Sequence, residues 1–299
     1  MSDVSLSQSP LDIVFHAVTK RAIDEFIVRP AHAVMITGQT GIGKASTAQY
    51  VVSRVLGLSG AQTVKSHPYV RIIRPEDNKA IPIETIRELQ RFLSLKIPGS
   101  SDAKHARAII IEDAQQLTTE AQNALLKTLE EPPNDTIIVL TATSTESVLP
   151  TIQSRVRQVT ILPPTPEVLT THFTKLGFSA ANIQRALMLS GELPGLSSAL
   201  LTENNEHPLV AATTHARGIL QSKSYERLLL IDSLSKQKQL CLDVLFVLGQ
   251  MSRMALLRTT DPKASLRWQH IMRVTYTATE QLGHNAQAKL VLTNLMLEL

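Results

Sequence analysis

The segment Gly38-Gln39-Thr40-Gly41-Ile42-Gly43-Lys44 constrains this chain more than any other. It follows the apolar run Ala33–Thr37 and precedes a helical pattern over 44–56. Closely spaced glycines let backbone N–H groups turn inward around phosphate oxygens, while a helix N-terminus and a lysine supply positive potential. A Gly-rich turn with an incidental lysine is the plainer alternative. Either way, a strand must feed directly into a helix, so an α/β fold is expected.

Further apolar, β-branched runs at 70–74, 108–112 and 136–141 alternate with helical patterns at 83–95 and 119–129. This alternation is the habit of a parallel sheet covered by helices. Ile81-Pro82-Ile83-Glu84 and Thr118-Thr119-Glu120 carry helix-start signals. At Ile161-Leu162-Pro163-Pro164-Thr165-Pro166 three prolines in four residues oppose both helix and central strand, and a domain boundary is expected there. Helical patterns at 167–176, 180–190 and 196–201 follow, and long amphipathic ones run from His207-Pro208 to Leu299, broken at Asp261-Pro262. Three domains are expected: an α/β nucleotide-binding domain over 1–162, a helical lid over 163–205 and an all-α domain over 206–299.

The residue after Lys44 is Ala45, where phosphate loops use Ser or Thr to ligate Mg²⁺, and a methyl group coordinates nothing. Ser46 and Thr47 follow, but a shift of one residue swings a helical side chain by about 100°. ATP or ADP binding is therefore compatible with the loop, while a role for Mg²⁺ is doubtful. The run Ala108-Ile109-Ile110-Ile111 ends in Glu112-Asp113, paired carboxylates at a strand end. In such NTPases the first carboxylate holds Mg²⁺ and the second orients the attacking water, so Glu112 is a possible metal ligand. The usual order is Asp-Glu, and the swap displaces each carboxylate by one methylene. An acidic cap on a strand end is the structural alternative.

Cys241 is the chain's single cysteine, so no intrachain disulfide and no four-cysteine zinc site can form. Residues 1–11 lack a basic n-region followed by an apolar one, and no uninterrupted apolar stretch approaches 18 residues, so neither export nor a membrane partner is expected. A cytoplasmic setting fits. The net charge of +4 permits phosphate-backbone contact, but 30 basic residues are scattered among 26 acidic ones. The histidines, His16, His32, His67 and His105 among them, have no metal-ligand spacing. Trp268, near Arg267, Arg273 and Tyr276, suits base stacking or, more simply, helix packing.

Pro30-Ala31-His32-Ala33, His67-Pro68 and Ile83-Glu84-Thr85-Ile86-Arg87-Glu88-Leu89 together resemble bacterial clamp-loader ATPase modules of the AAA+ class. The most specific stretches are Asn123-Ala124-Leu125-Leu126-Lys127-Thr128-Leu129-Glu130-Glu131-Pro132-Pro133 and Leu149-Pro150-Thr151-Ile152-Gln153-Ser154-Arg155. The resemblance implies that Arg155 is an arginine finger, reaching across a subunit boundary to the γ-phosphate held by a neighbour. It places Thr143, with Ser144 as a near alternative, where the family has a γ-phosphate sensor. Gly38, Gly41, Gly43, Lys44, Ala45 and Ser46 would line the nucleotide, with Glu112 and Asp113 as catalytic carboxylates. Gly191-Glu192-Leu193-Pro194-Gly195-Leu196 lacks the lid arginine of hydrolysing relatives and is similar to the delta-prime type rather than the gamma/tau motors. The four-cysteine zinc module found between the loop helix and the His-Pro strand in many relatives is missing, so no zinc is expected. Implied partners are gamma/tau and delta sister subunits, the sliding clamp, and primer-template DNA through the assembly. A hydrolysing motor subunit and a nucleotide-binding scaffold outside replication are the alternatives.

Overall fold

The computed structural model describes residues 13–59, 61–75, 79–95, 106–133, 135–204, 207–284 and 286–299. Residues 1–11, on which the reading about export rests, and His105 lie outside these. The chain forms two compact units, divided between Pro164 and Thr165.

Unit 1 contains the strands β1 (Ala33–Thr37), β2 (Val70–Ile73), β3 (Arg107–Ile111), β4 (Thr136–Ala142) and β5 (Arg157–Thr160). Its helices are α1 (Ala17–Val28), α2 (Lys44–Val55), α3 (Ala61–Ser66), α4 (Ile83–Ser94), α5 (Thr119–Glu130) and the single turn α6 (Pro150–Gln153). The strands make one parallel sheet in the order β2-β3-β4-β1-β5. Strands β1, β3 and β4 are buried along their whole length, which is why they read as unbroken apolar runs. On one face, Ile86, Leu89 and Leu93 of α4 and Ala121, Leu125 and Leu129 of α5 pack on Ile109, Ile111, Ile138 and Leu140. The burial of each large aliphatic side chain there contributes about 1.5–3 kcal/mol. Helix α2 lies against β1, β3 and β4, α1 against β5, and α3 against β2.

Two helix starts in unit 1 follow their sequence signals. Thr118 caps α5 by accepting from the Ala121 N–H at 3.2 Å, and Pro82 precedes α4. The segments leading into these helices are tied as a short parallel bridge, Ile81 to Leu117. Elements α1, α3 and β5 carry no signal in the sequence reading. β5 is a four-residue edge strand with one buried residue, Val159, so neither length nor periodicity reveals it.

Unit 2 is wholly helical: α7 (Pro166–Lys175), α8 (Ala180–Ser190), α9 (Pro194–Leu201), α10 (Pro208–Gln221), α11 (Ser224–Leu229), α12 (Ile231–Leu234), α13 (Lys238–Arg258), α14 (Pro262–Gly283) and α15 (Ala288–Glu298). Among the described residues, α13 is the one helix long and apolar enough to cross a bilayer. Here it is the core helix, packed by α8, α10 and α14, and it buries Cys241, Val244, Leu248 and Met251. Cys241 Sγ donates to the Leu234 carbonyl at 3.0 Å. Asp261 caps α14, accepting from the N–H groups of Lys263 and Ala264. Trp268 is half-buried, with the Arg267 guanidinium 5.6 Å from its ring centroid.

The Gly191 to Leu196 stretch joins α8 to α9 and lies against α13. Gly191 is in the left-handed region at φ +65°, and a Cβ there would stand 2.8 Å from Gln250 Cβ. Ser190 and Ser197 share a buried hydrogen bond of 2.7 Å across the same turn. Helices α7 to α9 lie in the same compact unit as α10 to α15.

Candidate functional site

The loop over 38–43 leaves β1 at its C-terminal end, and the carboxylate pair and Thr143 follow the C-terminal ends of β3 and β4. In a parallel α/β sheet this is the ligand-binding edge. Gly43 takes a left-handed conformation, φ 100° and ψ 27°, as the N-cap of α2, a geometry that favours glycine. The loop is anchored below by the Gly38 N–H donating to the Ala142 carbonyl at 3.2 Å.

Lys44 is only 8% exposed, and its ammonium donates to the Gln39 carbonyl at a long 3.4 Å. Burial pushes its pKa down, opposed by the charge of Asp113. A buried cation held by a carbonyl and a distant carboxylate is stabilised by an arriving anion, so this loop fits a phosphate group.

The fit to Mg²⁺ is incomplete. Ala45 offers no oxygen. Thr47 is buried and its hydroxyl donates back to the Gly43 carbonyl at 2.9 Å, while Ser46 is exposed. Neither hydroxyl takes the position that Ala45 leaves vacant.

The two carboxylates face different surroundings. Glu112 is raised above the usual carboxylate range by burial and by the Asp113 charge, against the pull of Arg74, Lys65 and Gln49. Its Oε2 lies 3.9 Å from Arg74 Nε, and its Oε1 is buried without a hydrogen-bond partner. Asp113 Oδ1 accepts from Gln115 Nε2 at 3.2 Å, and the Asp113 charge opposes the lowering of the Lys44 pKa. Asp113 sits at φ 52°, and its N–H donates to Thr141 Oγ1 at 3.0 Å, which ties the pair to β4. Thr141 escaped the sequence reading because a threonine inside an apolar strand looks like ordinary β propensity. Thr143 and Ser144 lie just past β4 with exposed side chains.

Arg155 follows α6 on the surface of unit 1. Its NH2 pairs with Glu130 Oε1 at 2.8 Å, and its NH1 donates to the Thr151 carbonyl and to Ser154 Oγ at 3.0 and 3.1 Å. The side chain is 35% exposed, and these partners all belong to α5, α6 and the residue after it rather than to the Lys44 loop. Gln122 sits between the carboxylate loop and the arginine segment, donating to the Leu117 carbonyl and accepting from the Leu149 N–H at 2.9 Å. It too went unread, as a polar residue on an amphipathic helix gives no sign of burial.

Three histidines make local bonds to the backbone. Nδ1 of His16, His67 and His207 each accepts from the N–H two residues on, at 3.2 Å. Among the described residues no three His, Cys, Asp or Glu side chains gather into a metal site.

The parallel sheet, the phosphate-type loop and the helices following it define an AAA+ P-loop fold with a helical C-terminal region. The same fold occurs in a DNA polymerase III gamma subunit-related protein of Thermotoga maritima, with a TM-score of 0.58 at 20% identity, covering 93% of this chain and 97% of that one. More particularly, the chain resembles DNA polymerase III subunit delta', and residues 27–165 match the family described as DNA polymerase III, delta subunit. Identity to the Pseudomonas aeruginosa delta' subunit is 28% over 209 residues, 65% of this chain and 58% of that one. Identity to the Escherichia coli delta' subunit is 31% over 193 residues, 59% and 56% of the two chains. A gamma/tau subunit of Mycobacterium tuberculosis is 30% identical over 149 residues, 44% of this chain and 25% of the relative. The match thus spans little more than half the length of these delta' relatives.

Proposed function

We propose that the chain is a delta-prime-like subunit of a clamp loader, acting mainly as a stator that donates Arg155 to ATP bound by a neighbouring subunit. The carrying observation is the contrast between its two candidate sites. The loop has a buried Lys44 but no hydroxyl in place for Mg²⁺, while Arg155 stands at the surface with a permanently charged, phosphate-matching fork. A chain of this design completes another subunit's active site without an efficient one of its own. Its loop would hold ATP or ADP with weak dependence on Mg²⁺, through Lys44 and the 38–43 backbone, and Thr143 would lie near the terminal phosphate.

The sheet-bearing unit would be the AAA+ domain, with α7 to α9 as lid and α10 to α15 as the collar that meets gamma/tau and delta subunits. The sliding clamp and primer-template DNA would be met through that assembly, in the cytoplasm, with DNA contact weakened steeply by salt. The test is ATP turnover of the isolated chain, and then of the assembly reconstituted with wild-type chain or Arg155→Ala. The lone chain is expected well below about 1 s⁻¹, the lower edge of ordinary enzyme rates. Arg155→Ala is expected to cut assembly turnover at least about tenfold, a modest loss for an arginine finger. Undiminished turnover with Arg155→Ala overturns the proposal.

A further inference from the structure

Glu130 is the last residue of α5, where the helix dipole disfavours a carboxylate. Lys127 is the basic residue in that last turn, yet Glu130 is paired with Arg155, from the turn after α6. A carboxylate presents to a guanidinium the same two-oxygen face as a phosphate. Glu130 therefore occupies the NH2 donor that Arg155 would offer to a nucleotide. Both side chains are partly exposed, 35% for Arg155 and 50% for Glu130, so their pair is screened and exchangeable rather than locked. A terminal phosphate carries more charge than one carboxylate and displaces it; a weaker anion does not.

We propose that Glu130 is a positioning residue for Arg155, which parks the guanidinium on its own subunit until the terminal phosphate of a neighbour's nucleotide takes the place of the carboxylate. The inference rests on the trans-arginine reading above. Parking keeps the finger ordered, through NH1 on the Thr151 carbonyl and Ser154 Oγ, and makes engagement selective for the triphosphate.

The experiment is steady-state ATPase of the reconstituted assembly carrying wild-type chain, Glu130→Gln, Glu130→Asp, Arg155→Ala, or Glu130→Gln with Arg155→Ala. Glu130→Gln removes the charge, and Glu130→Asp keeps it but shortens its reach, so the two control for each other's effect on folding. Both are expected to raise kcat/KM for ATP by roughly two- to fivefold at low salt, the range set by an exposed ion pair. The gain shrinks as salt rises and is absent on the Arg155→Ala background. A pair that merely staples α5 to α6 would instead show lower turnover and a lower Tm together. If Arg155→Ala lowers turnover while both Glu130 variants lower it or leave it unchanged, parking is wrong and the trans-arginine reading stands. If Arg155→Ala has no effect, that reading falls and takes the parking role with it.

Discussion

At the scale of the residue, the site turns on a single missing oxygen. Because Thr47 is spent on the Gly43 carbonyl and Ser46 is exposed, Ala45→Ser should restore a hydroxyl that no neighbour supplies. ATP affinity of the wild-type chain is expected to change little when Mg²⁺ is chelated, and that of Ala45→Ser to drop at least about tenfold, the equivalent of ~1.4 kcal/mol. Equal sensitivity of the two proteins in a nucleotide titration would rule out Ala45 as the cause. His207 makes a second, pH-dependent point. Burial lowers its pKa below the usual histidine value, and its neutral Nδ1 caps α10 by accepting from Leu209. A depressed pKa means that the unfolded chain binds the proton more readily. The cap's contribution is therefore complete above about pH 6.5 and is lost as pH falls from there. His207→Ala should cost ~1 kcal/mol at pH 8 and clearly less at pH 5, read from urea midpoints at the two pH values.

At the scale of the element, buried polar groups set the positions of the helices. Arg107, 2% exposed at the start of β3, donates to the carbonyls of Phe92 and Leu95 at the end of α4, at 2.9 and 2.6 Å, and stands 3.6 Å from Asp135. Its loss leaves those carbonyls and a half-buried carboxylate without their cation. Arg107→Ala should destabilise unit 1 by about 3–5 kcal/mol in chemical denaturation, and a loss below about 1 kcal/mol would contradict this role. The α8–α9 turn depends on Gly191 in a similar way. Gly191→Ala is expected to cost about 2–3 kcal/mol, from left-handed strain and from the clash with Gln250 Cβ. Gln250→Ala should not rescue it, since the Cβ itself is the obstacle. The helix periodicities and starts of α2, α4, α5, α7 and α8 were legible because amphipathic spacing and capping are local. β5 and α3 were not, being short and held by neighbours distant in sequence.

At the scale of the whole chain, each unit has its own core. Unit 1 buries both faces of a sheet under helices, and unit 2 wraps α13 with α8, α10 and α14. A fragment ending at Pro164 should accordingly unfold in one cooperative urea transition by circular dichroism. A gradual loss of signal without a transition would show that unit 1 cannot stand alone. The division between the two units falls within the proline cluster, since prolines oppose the regular structure that would bridge two cores.

The linear order of residues by itself determined the α/β character, the loop, the position of Lys44 and the absence of a hydroxyl beside it, because each depends on spacing along one strand–loop–helix unit. Only the tertiary structure decided which groups share a neighbourhood: the Asp113 charge acting on Lys44, Glu112 beside Arg74, and Arg155 on Glu130. Arg155 and Glu130 lie 25 positions apart, one just after α6 and the other at the end of α5, and their pairing follows from β4 returning the chain so that α6 packs on α5. Side-chain partnership of that kind is set by packing, and no local pattern encodes it.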